Sequence, residues 1–448
     1  MNISRESIPS TTDQSLPIGA LRVTSGNWIE VRSPYNNALL GRVPACTNDH
    51  VEQAVNAARA VRDAGPLPAW QRAEILDRAA VALNARIEEF ARIIAGEAAK
   101  PIKTARVEAQ RAVSTFQFAA AEARTLAGDV VPMDASAAGV GKLAFTLRVP
   151  IGIVGAISPF NFPLNLVAHK LAPAIAAGCP VVLKPASQTP LSAIRLVEML
   201  IDDCGLPAGH VNVVTGSGTT VGNAIVEHPE IAMLTFTGSP EVGWDIRAKA
   251  ARKKVGLELG NNAPLIIEPS GDWHTAATKV SVAGFSHAGQ SCISTQRIYV
   301  HRSLVEQFTA ALVDRTKNLV VGDPMDESTD VSALISTNER QRVHDWVEEA
   351  QAQGATVALG GEIGDDGILA PTILTGINPT MKVCSQEVFG PVVGIAAYDD
   401  FDDALALAND SLRLTGRRIY DQHHRRDEGR AHARLRRCTH QRSANIPR

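Results

Sequence analysis

Residues 151–185, IGIVGAISPFNFPLNLVAHKLAPAIAAGCPVVLKP, decide the fold class. This stretch predicts a short apolar strand at residues 151–157, an apolar helix from Pro163 to about Gly178, and a buried strand at residues 180–184. Strands that alternate with helices in this way form a parallel sheet covered by helices. The sequence therefore predicts an α/β fold with a doubly wound parallel sheet.

The alternation continues on both sides of this stretch. Because Ser and Thr before a proline are typical of a helix start, Thr189 and Ser239 are predicted N-caps, and the helix after Thr189 is expected to end at Gly205. Further strands are predicted at residues 211–214, 231–236, 255–259, 265–267, 297–301 and 392–398. Helices are predicted at residues 49–62, 70–125, 303–317 and 338–353, and a protruding hairpin at residues 128–148. A second α/β series thus follows the first, from about residue 263 to residue 410.

Bulk composition limits the classes of function. A chain of 448 residues is expected to form two or three domains, and a net charge of -3 argues against a nucleic-acid binder. No apolar stretch approaches the length of a membrane span, and residues 1–19 carry no secretory pattern, so the expected location is the cytoplasm. The six cysteines are widely and irregularly spaced, which is typical of reduced thiols and predicts no metal site.

Cys292 is the candidate nucleophile. It lies in Gly289-Gln-Ser-Cys-Ile-Ser294, where small residues on both sides suit a tight turn open to a substrate. A thiolate can add to a carbonyl carbon and form a tetrahedral thiohemiacetal, which can then expel hydride. On local sequence alone, a single cysteine is more often a small buried hydrophobic residue, so its neighbours must decide between the two interpretations.

Glu258 is the candidate general base. It lies in Leu257-Glu-Leu-Gly260, at the end of an apolar strand. Apolar surroundings tune a carboxylate to take a proton from water near neutral pH, as the hydrolysis of a thioester requires. The alternative is an ordinary surface carboxylate at a strand end.

Asn161 is the candidate oxyanion stabiliser. It lies in Ser158-Pro-Phe-Asn-Phe-Pro163, between a predicted strand and a predicted helix. Its amide N–H can stabilise a developing alkoxide, together with the backbone N–H of the nucleophile. The alternative is a helix N-cap, because Pro163 follows closely, and both interpretations can hold at once.

Three segments are candidates for binding a cofactor. Residues 237–243, TGSPEVG, join a strand to a helix whose N-terminal N–H groups can receive a pyrophosphate. Residues 216–222, GSGTTVG, resemble a dinucleotide fingerprint, but the spacing differs by one and no acidic residue ends a strand about 20 residues later, which favours a structural turn. Residues 184–187, KPAS, end another strand, from which Lys184 can reach an adenosine ribose.

Six segments together resemble the aldehyde dehydrogenase superfamily, in the order of that family. They are the Asn161 motif, residues 184–190, 236–239 and 258–260, the Cys292 motif, and residues 387–391, EVFGP. The resemblance implies oxidation of an aldehyde to a carboxylic acid with NAD or NADP, with Cys292 as nucleophile, Glu258 as base and Asn161 as oxyanion donor. The cofactor-binding residues that it implies are Ser158, Phe160, Lys184, Ser187, Gly238, Ser239, Glu387 and Phe389. Within this set, Lys184 is assigned to the adenosine ribose, and Glu387 and Phe389 to the region of the nicotinamide ribose.

The resemblance also implies a domain organisation and a substrate class. It predicts an NAD(P)-binding domain at residues 1–125 and 149–257, an oligomerisation hairpin at residues 126–148 and a catalytic domain at residues 258–411, and hence a homo-oligomer. The Asn161 and Cys292 motifs are most similar to the lactaldehyde and phosphonoacetaldehyde dehydrogenase branch, which favours a small polar or anionic aldehyde. Glu258 favours hydrolysis to the free acid over transfer to coenzyme A. Ser187 stands where NAD-preferring members often carry Glu, which favours acceptance of NADP.

The last residues depart from the family pattern. Residues 411–448 contain eleven Arg, no Lys and three acidic residues, where family members continue with a Tyr-Gly-Leu stretch and an oligomerising strand. Synonymous codons for residues 411–423, read one nucleotide forward, can encode R-Y-G-L-Q-A-A-V-Y-T-T-N, which is the family's continuation. We therefore predict a shifted reading frame after about Ser411, an aberrant Arg-rich tail at residues 412–448 and a truncated catalytic domain. The alternative function is a catalytically impaired product that retains only cofactor binding. The tail lacks the interleaved aromatic residues and the clear amphipathic period that would indicate a nucleic acid or a membrane as its partner.

Overall fold

The computed structural model describes residues 13–410, which form two compact units. Unit 1 contains residues up to 98 together with 102–259, and unit 2 contains residues 99–101 together with those from 260 onward. The predicted boundary between a cofactor domain and a catalytic domain, at Glu258, lies next to this division. The predicted tail at residues 412–448 and the shifted frame after Ser411 lie outside the described residues.

Unit 1 consists of one parallel sheet, small antiparallel pairs and surrounding helices. Its strands are β1 (Leu16–Ile18), β2 (Leu21–Val23), β3 (Trp28–Arg32), β4 (Leu39–Pro44), β5 (Val130–Val131), β6 (Ala144–Phe145), β7 (Ile153–Ile157), β8 (Val181–Lys184), β9 (Val211–Val213), β10 (Ile231–Gly238) and β11 (Lys254–Leu259). Its helices are α1 (Asn48–Ala64), α2 (Ala69–Ala85), α3 (Ile87–Ala98), α4 (Ile102–Thr125), α5 (Asn165–Ala176), α6 (Leu191–Glu198), α7 (Asn223–Glu227) and α8 (Pro240–Lys249).

The central sheet of unit 1 confirms the predicted doubly wound topology. Its strand order is β11-β10-β7-β8-β9, and every pairing is parallel. The chain runs outward from β7 to β9, returns to β10 on the other side of β7, and continues to β11. In such sheets, ligands bind beyond the carboxyl ends of the strands, at the point where the winding changes direction. That point lies between β7 and β10.

The helices of unit 1 differ from the sequence prediction in two places. Residues 70–125 form three helices rather than one stretch, because the chain leaves the helical conformation at Arg86 and again at Ala99, whose φ is 49°. The predicted N-cap at Thr189 is wrong, because α6 has Pro190 at its N-cap position and begins at Leu191. Helix α3 packs against α6, and α4 packs against α2, α3 and α5, so the N-terminal helices brace those that follow β7 and β8.

Unit 2 is built around a second five-stranded sheet, with strand order β12-β13-β16-β15-β14. Its strands are β12 (Pro264–Ile267), β13 (Arg297–His301), β14 (Thr356–Leu359), β15 (Thr372–Thr375) and β16 (Val392–Tyr398), and its helices are α9 (Trp273–Ala283), α10 (Val305–Thr316), α11 (Thr337–Ala352), α12 (Lys382–Ser385) and α13 (Phe401–Asn409). All pairings are parallel except that of β14 with β15, which is antiparallel. The predictions of β12, β13, β16, α10 and α11 are confirmed. The sequence did not predict β14 and β15.

The predicted hairpin forms from β5 and β6, with Val130 opposite Phe145. Several of its apolar side chains face solvent in the single chain, including Val130 at 76% exposure and Leu143 at 81%. Among the described helices, none has both the length and the apolar character that crossing a membrane would require.

Candidate active site

The register of the sheet in unit 1 aligns the carboxyl ends of four strands. Ile157 of β7 lies opposite Lys184 of β8 and opposite Phe236 of β10, and Thr237 of β10 lies opposite Glu258 of β11. The chain therefore leaves all four strands at one edge, the edge at which a doubly wound sheet binds its ligand. Most of the residues singled out by their sequence motifs lie at this edge.

Asn161 is buried in the loop between β7 and α5, with 3% of its surface exposed. Helix α5 begins only at Asn165, and the backbone N–H groups of Leu164 and Asn165 donate to Glu108 Oε1 at 3.0 and 3.1 Å. The alternative that Asn161 is the helix N-cap is therefore wrong, because a carboxylate from α4 caps this helix.

Lys184 ends β8 directly beside the start of the Asn161 loop. The backbone N–H of Ser158 donates to the carbonyl oxygen of Lys184 at 3.1 Å, which holds the two loops side by side. The Lys184 side chain is buried, and this burial lowers its pKa to about 8. Its Nζ donates to the carbonyl oxygen of Pro185 at 3.3 Å, a long and weak hydrogen bond.

Two hydroxyl groups fix the rest of the β8–α6 loop. Ser187 Oγ donates to the carbonyl oxygen of Gly216 at 2.9 Å, which joins this loop to the turn after β9. Thr189 Oγ1 donates to the carbonyl oxygen of Phe160 at 3.3 Å, which joins it to the Asn161 loop. Because the Thr189 hydroxyl is engaged in this contact, it does not cap α6.

Gly238 and Ser239 lie where β10 ends and α8 begins. Ser239 Oγ accepts a hydrogen bond from the backbone N–H of Val242 at 3.4 Å, and this confirms the predicted N-cap. A Cβ atom at Gly238 would lie 2.5 Å from the Phe236 ring, so this position has no room for a side chain. The exposed start of α8 thus offers a close approach to backbone N–H groups, as binding of a pyrophosphate requires.

Glu258 is exposed at the end of β11. The expectation of apolar surroundings is wrong, because the Glu258 side chain is exposed, on a strand that pairs only with β10 among the described strands. Sequence reasoning missed the buried Lys170 of α5, whose Nζ donates to Thr235 Oγ1 at 3.1 Å and Thr237 Oγ1 at 2.8 Å. Burial lowers the pKa of Lys170 to about 7, and the charge of Glu258 opposes this shift.

In unit 2, Cys292 lies in a turn that follows three left-handed residues. His287, Ala288 and Gly289 have φ angles of 51°, 52° and 70°. This conformation is costly for residues that carry a Cβ and persists only where packing enforces it. A Cβ atom at Gly289 would lie 2.0 Å from the carbonyl oxygen of Gly390, so only glycine allows this contact. The partly exposed Cys292 thus follows a backbone that is packed against residue 390.

Glu387 and Phe389 belong to the segment that contacts the Cys292 loop. Glu387 Oε1 accepts a hydrogen bond from the backbone N–H of Asn261 at 3.0 Å, and a Cβ atom at Gly260 would lie 1.9 Å from its other carboxylate oxygen. The backbone at Phe389 also has a left-handed conformation, with a φ of 52°. Unit 2 therefore brings residues 260–261, 287–292 and 387–390 together, although they are far apart in sequence.

The polar groups of unit 1 fit a dinucleotide cofactor. Ser158 Oγ is buried and has no hydrogen-bond partner among residues 13–410, and the nearby Lys184 is a buried cation. A ribose offers hydroxyl groups that can satisfy both. Together with the glycine-flanked start of α8, these groups place this edge in the class of dinucleotide-binding α/β sheets.

Comparison with known proteins identifies the family. The model of the aldehyde dehydrogenase family matches residues 22–415. The 3-sulfolactaldehyde dehydrogenase of Priestia aryabhattai is 45% identical over 388 residues, 87% of this chain and 81% of that protein. The lactaldehyde dehydrogenase of Methanococcus aeolicus is 37% identical over 396 residues, 86% of this chain and 83% of that protein. The crystal structure of aldehyde dehydrogenase 21 from Physcomitrella patens, in complex with the reaction product succinate, has a TM-score of 0.85 at 37% identity and covers 90% of this chain and 84% of that one.

The chain belongs to the aldehyde dehydrogenase family. It is an NAD(P)-dependent oxidoreductase of the lactaldehyde dehydrogenase-like branch, which oxidises an aldehyde to its carboxylic acid. The predictions of the fold class, the family and the cofactor type are confirmed.

Proposed function

We propose that the substrate is a small polar or anionic aldehyde. The observation that carries this proposal is the 45% identity to a 3-sulfolactaldehyde dehydrogenase, whose substrate bears a sulfonate. The complex of a structural relative with succinate, a small dicarboxylate, supports the same class. The preferred test compares kcat/KM for 3-sulfolactaldehyde, lactaldehyde, succinate semialdehyde and an apolar aldehyde of similar size. A preference for the apolar aldehyde would refute the proposed class.

In the proposed mechanism, Cys292 forms the bond to the substrate. Its thiolate adds to the aldehyde carbon and gives a thiohemiacetal with a negative oxygen. The Asn161 amide donates a hydrogen bond to that oxygen and lowers the energy of the charged state. The left-handed backbone of residues 287–289 holds the turn that carries the thiol, which reduces the motion that would misplace it.

A bound NAD(P) would supply the acceptor for the hydride that leaves the tetrahedral carbon. Cys292 then carries a thioester, and Glu258 removes a proton from the water that attacks it. The exposure of Glu258 gives water direct access to its carboxylate.

The proposed cofactor-binding groups are those that the sequence motifs identify. Lys184 and Ser187 bind the adenosine ribose, the start of α8 at Gly238 and Ser239 binds the pyrophosphate, and Glu387 and Phe389 bind the nicotinamide ribose region. Ser158 and Phe160 complete the set from the loop after β7. NADP is accepted because no carboxylate occupies position 187.

Replacement of the nucleophile tests the assignment of the reaction. Cys292→Ala should abolish aldehyde oxidation and leave NAD(P) binding within about twofold, because a dinucleotide does not need the thiol. Cys204→Ala is the matched control: burial raises the pKa of this thiol to about 11, so it stays protonated and unreactive. Retention of more than about a tenth of the turnover by Cys292→Ala would refute the assignment. Cofactor binding without turnover in the parent chain would favour the catalytically impaired alternative.

We also propose a homo-oligomer and a cytoplasmic location. The exposed apolar side chains of the β5–β6 hairpin support assembly of copies through this region, since such side chains are usually covered. The cysteines among residues 13–410 form no disulfide bond, which suits a reducing compartment. Light scattering after size-exclusion chromatography tests the first point, with Phe145→Glu as the variant expected to dissociate the assembly.

A further inference from the structure

Helices α5 and α6 begin without a side-chain cap of their own. Their N-cap residues are Leu164 and Pro190, and neither provides a side-chain acceptor. The first turn of any helix leaves backbone N–H groups without an intrahelical partner, and burial of such groups is costly. Both helices follow loops that carry residues of the proposed site, so the position of each helix start matters for that site.

A buried carboxylate from an earlier helix caps each of them. Glu97, at the end of α3, accepts hydrogen bonds from Leu191 N at 2.7 Å, Ser192 N at 3.1 Å and Ser192 Oγ at 2.5 Å. Glu108 of α4 caps α5 in the same manner. Neither glutamate is more than 1% exposed. Taking a carboxylate out of water is expensive, and a hydrophobic residue at such a position often gives a more stable fold.

Glu97 fixes one end of the β8–α6 loop. The other end is fixed by β8 itself, which terminates at Lys184. Between these two anchors lie Ser187 and Thr189, which bind the carbonyl oxygens of Gly216 and Phe160. We propose that Glu97 is a positioning residue for cofactor binding, because it holds the start of α6 and thereby sets the loop that carries Lys184 and Ser187. This inference rests on the proposed assignment of that loop to the adenosine ribose.

The preferred test is Glu97→Gln in the full-length chain. Glutamine keeps the size of the side chain but replaces one acceptor oxygen by an NH₂ donor, which faces a backbone N–H. We expect the Kd for NAD and for NADP to rise about tenfold, equivalent to about 1.4 kcal/mol. The kcat at saturating cofactor should stay within about twofold, since Glu97 has no contact with the reacting atoms. Cofactor binding is measured by calorimetry without aldehyde.

Glu89→Gln is the matched control. Glu89 also lies on α3 and also contacts α6, through an ion pair with Arg195 at 2.6 Å, but it does not cap the helix. Its replacement should leave the Kd unchanged. Ser192→Ala removes one of the three hydrogen bonds and should raise the Kd about threefold, with the fold retained. If Glu97→Gln does not fold, Ser192→Ala is the variant that tests the inference.

Three results would overturn the inference. The first is an unchanged Kd in folded Glu97→Gln, or in folded Ser192→Ala if the former does not fold. The second is a parallel loss of cofactor affinity, kcat and melting temperature in Glu97→Gln. The third is the same loss of affinity in Glu89→Gln, because then any weakening of the α3–α6 contact would suffice. Failure of the proposed aldehyde oxidation is a separate outcome, since the binding measurement does not depend on turnover.

Discussion

A single charge at position 187 should decide how well NADP competes with NAD. Ser187 is partly buried, three residues after Lys184, and donates a hydrogen bond to the carbonyl oxygen of Gly216. In Ser187→Glu, a carboxylate replaces this hydroxyl at the loop assigned to the adenosine ribose. A carboxylate there can accept hydrogen bonds from the ribose hydroxyls of NAD but repels the 2′-phosphate of NADP.

The expected magnitude separates two effects of the substitution. Loss of the 2.9 Å hydrogen bond to Gly216 destabilises the loop conformation by roughly 1 kcal/mol. This loss weakens the binding of NAD and of NADP equally. Repulsion between a single and a double negative charge at about 5 Å costs about 1.7 kcal/mol even at the dielectric constant of water, and more where the site is partly buried. The ratio of kcat/KM for NADP to that for NAD should therefore fall at least about tenfold.

Ser187→Gln is the matched control, since it has the shape of glutamate without its charge. Both variants lose the contact with Gly216, so only the charge distinguishes them. The assay is the initial rate of NADH or NADPH formation at a fixed saturating aldehyde concentration. Equal cofactor ratios in the two variants would refute the assignment of this loop. A preference of the parent chain for NAD above about a thousandfold, roughly 4 kcal/mol, would refute the expected acceptance of NADP.

Three further predictions concern the proposed base Glu258, the buried Lys184 and the C-terminal residues. Glu258→Gln should release one equivalent of NAD(P)H per site in a rapid burst and then stall at the thioester; loss of burst and steady state in equal measure would contradict its role as the base. Burial lowers the pKa of Lys184 to about 8, so this side chain is charged below that pH and neutral above it. The ratio of the Kd for NADP to the Kd for NAD should therefore rise about tenfold between pH 7 and pH 9. The same ratio in Lys184→Gln should not vary with pH, and a flat profile in the parent chain would argue against the contact. The gene, read one nucleotide forward after codon 411, should encode R-Y-G-L-Q-A-A-V-Y-T-T-N. Any other encoded sequence would refute the shifted frame.

Local sequence was sufficient for most of the fold. The strands β7, β8, β10 and β11 were predictable because each is a short apolar run bounded by glycine, proline or serine, and their alternation with helices allows few topologies. The start of α8 was predictable for the same reason, since Ser239 and Pro240 act on their own helix. At Thr189 the same reasoning failed, because tertiary contacts with Phe160 and Glu97 replaced the local cap.

The sequence predicted which residues form the candidate site but not how exposed each one is or what surrounds it. The motifs identified Asn161, Glu258 and Cys292, because the chemistry of each depends on the side chain and its immediate neighbours in the chain. The exposure of Glu258 and the place of β11 at the edge of the sheet depend on contacts between distant segments, which the sequence does not show.

Sequence by itself determined the fold class, the family and the residues whose side chains can take part in a reaction, because these follow from short-range patterns along the chain. Tertiary structure alone decided which charges are buried and what they touch. Glu97 and Lys170 are ordinary charged residues in sequence, yet the first caps a helix nearly a hundred residues later and the second lies against Thr235 and Thr237. The physical reason is that the cost of burying a charge, and the hydrogen bonds that offset it, depend on the groups that the fold brings together from separate parts of the chain.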